Sequence, residues 1–150
     1  MRSAFGLDAT TTAYLAAHSE PADDVQRALI ERTAELGGAS AMQIGPEQGA
    51  FLTVLVGALQ PTFAIEIGTF TGYSSIAIAR GLAPGGRLLC CDVSEEWTAI
   101  ARDHWAAAGV DDRIDLVIAP AGETLAGLDD DIGIDFAFID ADKTGYLAYY

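Results

Sequence analysis

Two carboxylates and the only lysine of the chain fall together in Phe138-Ile-Asp140-Ala-Asp142-Lys143. The other seven basic residues are all arginines. A lysine kept beside two acids suggests a need for a compact amine that can give up its proton. Without a ligand, the same residues read as a solvated helix start with acids at its N-terminus. A second group, Glu66-x-Gly68-x-x-x-Gly72, sets an acid on a strand two positions before a glycine-bracketed turn. Such a turn can offer backbone N–H groups and a carboxylate to a small ligand at the mouth of a parallel sheet. It can also be no more than a tight strand-to-helix connection. A third piece, Asp92, ends the next strand about twenty residues beyond Gly72. A carboxylate at that place can accept both hydroxyls of a ribose. Together the pieces fit an adenosine cofactor, and their spacing departs from the Gly-x-Gly-x-x-Gly of dinucleotide folds.

These residues need a scaffold that brings strand ends together. From Pro61 onward the pattern alternates strand and helix, as in a parallel sheet. Strands are expected at Phe63–Ile67, Arg87–Asp92, Ile114–Ile118 and Ile134–Ile139. Helices are expected at Tyr73–Leu82, Glu95–Ala108, roughly Gly122–Leu128, and from Lys143 to the end. Ser94 can cap the Glu95 helix, two acids occupy its first turn, and Trp97, Ile100, Ala101 and Trp105 share one face. Trp97 could also wall an adenine pocket. Before residue 61 the chain reads as helical: Thr10–His18, Pro21 to about Leu36, and Pro46 to about Leu59, with a loop through Met42-Gln-Ile-Gly45.

Composition narrows the choices. A chain of 150 residues, 51% hydrophobic and 20% charged, suits one folded domain. Its net charge of −14 would repel nucleic acid. The adjacent Cys90 and Cys91 point to opposite faces of a strand and are poorly placed to bridge, so both read as core thiols of a reducing cytosol. The first residues lack a continuous apolar stretch of the secretory kind, and the apolar segment Phe51–Leu59 is too short to span a membrane. His18 and His104 have no partner spacing and read as surface or packing residues.

With these residues in view, the chain resembles the cation-dependent O-methyltransferases of the caffeoyl-CoA and catechol type. The likeness runs from about Ala41 to Tyr150. It rests on Met42-Gln-Ile-Gly-Pro-Glu-Gln-Gly-Ala-Phe-Leu52, Glu66-Ile-Gly-Thr-Phe-Thr-Gly-Tyr-Ser-Ser75, Asp92-Val-Ser-Glu-Glu-Trp97 and Phe138–Lys143. The resemblance implies a Rossmann-like α/β fold of class I, a parallel sheet with helices on both faces. It implies an N-terminal helical cap over residues 1–60 and an S-adenosylmethionine-binding core over 61–150, together one domain. In that frame Glu66, Gly68 and Thr69 would hold the methionine end of the cofactor, with Ser74 at its carboxylate. Asp92 would take the ribose, Val93 would lie beside it, and Ala121 would meet the adenine. Ile44, and with less support Met42, would line the cofactor. Asp140 would bind a divalent cation, magnesium being expected, near the substrate. Asp142 would approach the cofactor, and Lys143 would be the general base.

The implied chemistry is coherent. Displacement at a sulfonium needs donor and acceptor in line and an anionic acceptor oxygen. A cation on a vicinal diol and a neutral lysine would supply that anion. Gly45 stands where such proteins often have Ser or Thr. The Asp-Asn pair that completes the metal site in the family lies on a further strand, beyond Tyr150. The sequence therefore reads as a piece of a longer protein with its C-terminal strands missing. The expected substrate is a small hydroxylated aromatic with vicinal hydroxyls. A coenzyme A thioester is disfavoured by the scarcity of bases. A cytoplasmic homodimer is expected. A cofactor-binding piece without turnover, an NAD(P)-dependent oxidoreductase and a tRNA methyltransferase are the competing readings.

Overall fold

A computed structural model describes residues 7–129 and 131–149. Four parallel strands form one sheet: β1 (Phe63–Ile67), β2 (Arg87–Asp92), β3 (Ile114–Ile118) and β4 (Phe136–Ile139), in the order β3-β2-β1-β4. Placing β1 centrally, beside both β2 and β4, makes it the line at which the chain reverses its direction of travel across the sheet. Ligands of such sheets bind beyond the carboxyl ends at that line. Glu66 of β1 lies in register with Cys90 of β2 and Phe138 of β4, so the candidate groups converge there.

Strand alternation divides the core in two. Ala64, Leu88 and Cys90 face a layer holding Leu29, Val56, Ile76, Ile78, Ile100 and Trp105. These come from α2 (Asp24–Ala34), α3 (Pro46–Leu59), α4 (Tyr73–Gly81) and α5 (Glu95–Ala108). Ile65, Ile67, Leu89 and Cys91 face the other layer, closed by Ala121 and Leu125 of α6 (Ala121–Ala126) and by Leu128 and Tyr149. The sheet is therefore covered on both faces, as the sequence pattern requires. Cys90 and Cys91 are buried free thiols in opposite layers.

The elements agree with the sequence reading except at their ends. α1 spans Ala9–His18, capped by Asp8, which accepts from the Thr11 amide at 2.7 Å. α2 starts at Asp24, not Pro21, because Asp23 and Gln26 form a reciprocal capping box. The loop through Met42 begins as a 3₁₀ turn over Gly37–Met42. β4 starts at Phe136, not Ile134: Asp135 turns its carboxylate onto the amides of Thr62 and Phe63 and ends the preceding segment there. The expected helix from Lys143 is absent over the described residues. Asp142 instead gathers the Gly145 amide and the Thr144 hydroxyl, both at 2.8 Å, and only a 3₁₀ turn follows at Tyr146–Ala148. Among the described residues no helix is long and apolar enough to cross a membrane.

Candidate active site

The turn after β1 is folded around Asp92. One carboxylate oxygen accepts from the Thr69 amide at 2.9 Å and the Phe70 amide at 2.8 Å, and the other accepts from Ser94 at 2.8 Å. The Gly68 amide goes to the Cys91 carbonyl and the Gly72 amide to Thr69, each at 2.9 Å. The sequence suggested amides offered to a ligand; the structure spends these four within the protein. Asp92 thus organises the turn, and any ribose must meet the remaining lone pairs of its oxygens.

This geometry constrains residue type. Gly68 has φ +90, and a Cβ there would collide with the Asp140 carbonyl oxygen and lie 2.8 Å from its carbonyl carbon. That glycine lets the end of β4 approach the turn after β1. Phe70, which has a side chain, sits at φ 51. Its ring packs edge-on against Trp97, with centroids 5.1 Å apart. Two amide bonds and a ring contact hold a conformation that non-glycine residues rarely adopt. Thr71, fully buried, accepts from Thr33 of α2 at 2.9 Å and from Gln43 at 3.3 Å, which ties the N-terminal helices to the turn.

Beyond the carboxyl ends of β1, β2 and β4 opens a cavity of about 760 Å³. Its walls include Gly68, Thr69 and Ser74 from the turn and α4, and Asp92 and Val93 from the end of β2. Ala121 closes one side, Met42 and Ile44 another, and Asp140, Asp142 and Lys143 stand at the end of β4. Phe70, Trp97 and Tyr149 add aromatic wall.

Glu66 is the sequence-proposed residue that does not line this cavity. It lies beneath, with no exposed surface, and accepts from the Ser75 hydroxyl and from the Cys90 thiol, the latter at 3.3 Å. Its Oε1 has no partner among the described residues. Burial raises its pKa from 4.5 to about 7, opposed by the Ser74, Ser75 and Cys90 donors, and Asp92 adds like-charge repulsion.

At the far wall Asp142 is engaged by its own segment. Besides Thr144 and Gly145 it accepts from the Tyr149 hydroxyl at 2.6 Å, and these bonds hold its pKa below the usual carboxylate value. Lys143 projects over the Tyr146 ring, 5.8 Å from its centroid. No described carboxylate lies within ion-pair distance of it. Among the described residues no three His, Cys, Asp or Glu groups gather as a metal site. Asp140 and Asp142 offer two carboxylates, the latter already accepting three hydrogen bonds, so the described residues do not by themselves fit a divalent ion.

Residues 16–150 match the family model described as O-methyltransferase. The chain belongs to the O-methyltransferase family. A probable caffeoyl-CoA O-methyltransferase 2 of Dictyostelium discoideum is 44% identical over 140 residues, covering 91% of this chain and 61% of that protein. The catechol O-methyltransferase of Mycobacterium tuberculosis is 41% identical over 106 residues, covering 71% of this chain and 48% of that protein. Among solved structures, the O-methyltransferase from Bacillus cereus in complex with SAH superposes with a TM-score of 0.84 at 33% identity, covering 93% of this chain and 64% of that one. TomG from Streptomyces achromogenes, solved with SAM, gives 0.82 at 27% identity, covering 93% and 65%. This member therefore has the Rossmann-like fold of class I methyltransferases and spans less than two thirds of the length of these relatives.

Sequence reading missed the residues that hold the walls of this cavity in shape. Thr33 is the polar member of the α2 stripe that runs through Val25, Leu29, Ile30 and Leu36, a local signal that could have pointed to its bond to Thr71. Nothing local marks Phe70 as left-handed or Tyr149 as the partner of Asp142.

Proposed function

We propose that the chain carries the S-adenosylmethionine site of an enzyme that methylates a hydroxyl of a small catechol-like aromatic. The observation that carries this reading is the shared cavity: the adenosine-side acid Asp92 and the amine of Lys143 line one space at the carboxyl ends of adjacent strands. Val93, Ala121, Ile44 and Met42 form the apolar bed for the cofactor, and Gly68, Thr69 and Ser74 its methionine end. Glu66 supports that end from below. Bound there, the cofactor would supply a sulfonium methyl, with Asp140 and Lys143 lining the same cavity. The acceptor oxygen would take the methyl as the carbon–sulfur bond breaks, leaving the uncharged thioether. Lys143 takes the hydroxyl proton as general base.

A divalent cation belongs to this proposal only in outline. Among the described residues Asp140 is the carboxylate best placed for it, and further ligands must come from outside the described residues. Residues 1–60 act as the cap on the acceptor side and 61–150 as the cofactor core, within one domain. A cytoplasmic homodimer completes the proposal.

Incubation with methyl-labelled S-adenosylmethionine and 4-methylcatechol tests it. Label in the O-methyl product, reduced at least a hundredfold by Lys143→Met, is the expected result. Cofactor binding without label transfer would favour a binding piece without turnover.

A further inference from the structure

The cavity wall that carries Met42 and Ile44 is a short stretch between the 3₁₀ turn Gly37–Met42 and the start of α3. Its backbone is tied locally, the Gln43 amide bonding to the Ser40 carbonyl at 3.2 Å. Met42 is exposed, and Ile44 packs against the core layer that holds α2 and α3. The polar tie to the rest of the site is the Gln43 side chain. Its Nε2 donates to Thr33 Oγ1 of α2 at 3.0 Å and to Thr71 Oγ1 of the turn after β1 at 3.3 Å. Thr33 in turn donates to Thr71 at 2.9 Å. Three segments distant in sequence thus share one closed hydrogen-bond network.

The network is costly to keep unless it does something. Thr33 and Thr71 are 1% and 0% exposed, and a valine would occupy the same volume without a hydroxyl to satisfy. Gln43 and Thr71 line the cavity, whereas Thr33 stands behind them, outside its wall. Thr71 adjoins Phe70, whose amide bonds Asp92 from a positive φ. The network therefore joins the wall bearing Met42 and Ile44 to the wall bearing Thr69 and Ser74.

We infer that Thr33 and Gln43 are positioning residues for the cofactor: through Thr71 they fix the separation of these two walls and so set cofactor affinity from α2. This rests on the proposed function, which puts S-adenosylmethionine between those walls. Apolar contact is non-directional, while hydrogen bonds hold narrow lengths and angles, so the network selects one placement of the Met42–Ile44 wall. A wall already in place spares the ligand the entropy of ordering it.

Calorimetric titration of S-adenosylhomocysteine, beside urea denaturation of the same variants, tests the inference. Thr33→Val keeps the shape and removes the hydroxyl, and affinity should fall about fivefold. Thr33→Ser keeps the hydroxyl and should stay within about twofold of the parent. Gln43→Met, at a half-buried position, reads the same bonds from the other end and should cost about tenfold. The Thr33→Val, Gln43→Met double variant should lose about tenfold, not the roughly fiftyfold of independent effects. Leu29→Val trims the buried face of α2 away from the network; it should lower the urea midpoint and leave affinity within about twofold. Parent-like affinity in Thr33→Val and Gln43→Met overturns the inference, as do equal losses in Thr33→Ser and Thr33→Val or multiplicative losses in the double variant. So does a Leu29→Val chain that loses affinity as Thr33→Val does, which would reduce the effect to general loosening of α2. Failure of S-adenosylhomocysteine to bind the unaltered chain is a separate outcome: it removes the cofactor assignment, and the inference falls with it.

Discussion

The turn after β1 and the segment after β4 meet at one cavity but are built in opposite ways. The first is locked: Thr69 and Thr71 are buried, four of its amides are bonded within the protein, and Phe70 is held at a positive φ. The second is open: Asp140, Asp142 and Lys143 are exposed, and Asp142 holds the segment through bonds to three nearby residues. In the proposed function the contrast separates two tasks. Rigidity serves the part that must recognise an unvarying cofactor, because a preorganised site loses less entropy on binding. Openness suits the part that must admit an acceptor and release a product.

The largest effect is expected where the two regions touch. Gly68→Ala would force a methyl into the Asp140 backbone at a φ that L-residues avoid. A loss of about 4 kcal/mol by urea denaturation is expected. A loss below about 1 kcal/mol would show that the β1–β4 contact yields easily.

Next comes pH. Glu66 has a folded pKa of about 7 against an ordinary 4.5, so the unfolded chain releases its proton first as pH rises. The folded state should lose stability from about pH 4.5 to 7 by on the order of 3 kcal/mol, and then level off. Glu66→Gln should flatten that slope. An unchanged slope in the variant would remove Glu66 as its source.

Asp92→Ala, on the locked side, leaves the Thr69, Phe70 and Ser94 amides without their acceptor. About 2 kcal/mol of stability should go, together with at least tenfold in cofactor affinity. Asp92→Asn keeps an acceptor oxygen and should recover part of the stability. If both variants behave alike, the turn does not depend on that carboxylate.

The smallest effect belongs to the open side. Asp142→Asn should leave the urea midpoint within error of the parent while acceptor binding weakens a few-fold. A large drop in the midpoint would make the segment after β4 as structural as the turn after β1.

Legibility in the sequence follows the same division. Strand and helix placement was readable because a buried parallel sheet writes continuous apolar runs between amphipathic helices, and β1, β2 and β3 appear where those runs lie. The glycine spacing and Asp92 identified the turn, but not that Asp92 would bond the amides of that turn. That depends on the left-handed Phe70, which no local pattern encodes. Glu66 was legible as the acid before the turn, yet its place beneath the floor follows only from the register of β1 with Cys90 and from Ser75. The helix expected from Lys143 failed because Asp142, with Thr144 and Gly145, prefers a side-chain-bonded turn to a helix.

The measurement that tests the central claim most directly is calorimetric titration of S-adenosylhomocysteine into this chain, with NADH as the control ligand. Saturable one-to-one binding of the homocysteine nucleoside, lost in Asp92→Ala and absent for NADH, is the predicted result. No binding by a chain shown to be folded by cooperative urea denaturation would contradict the account.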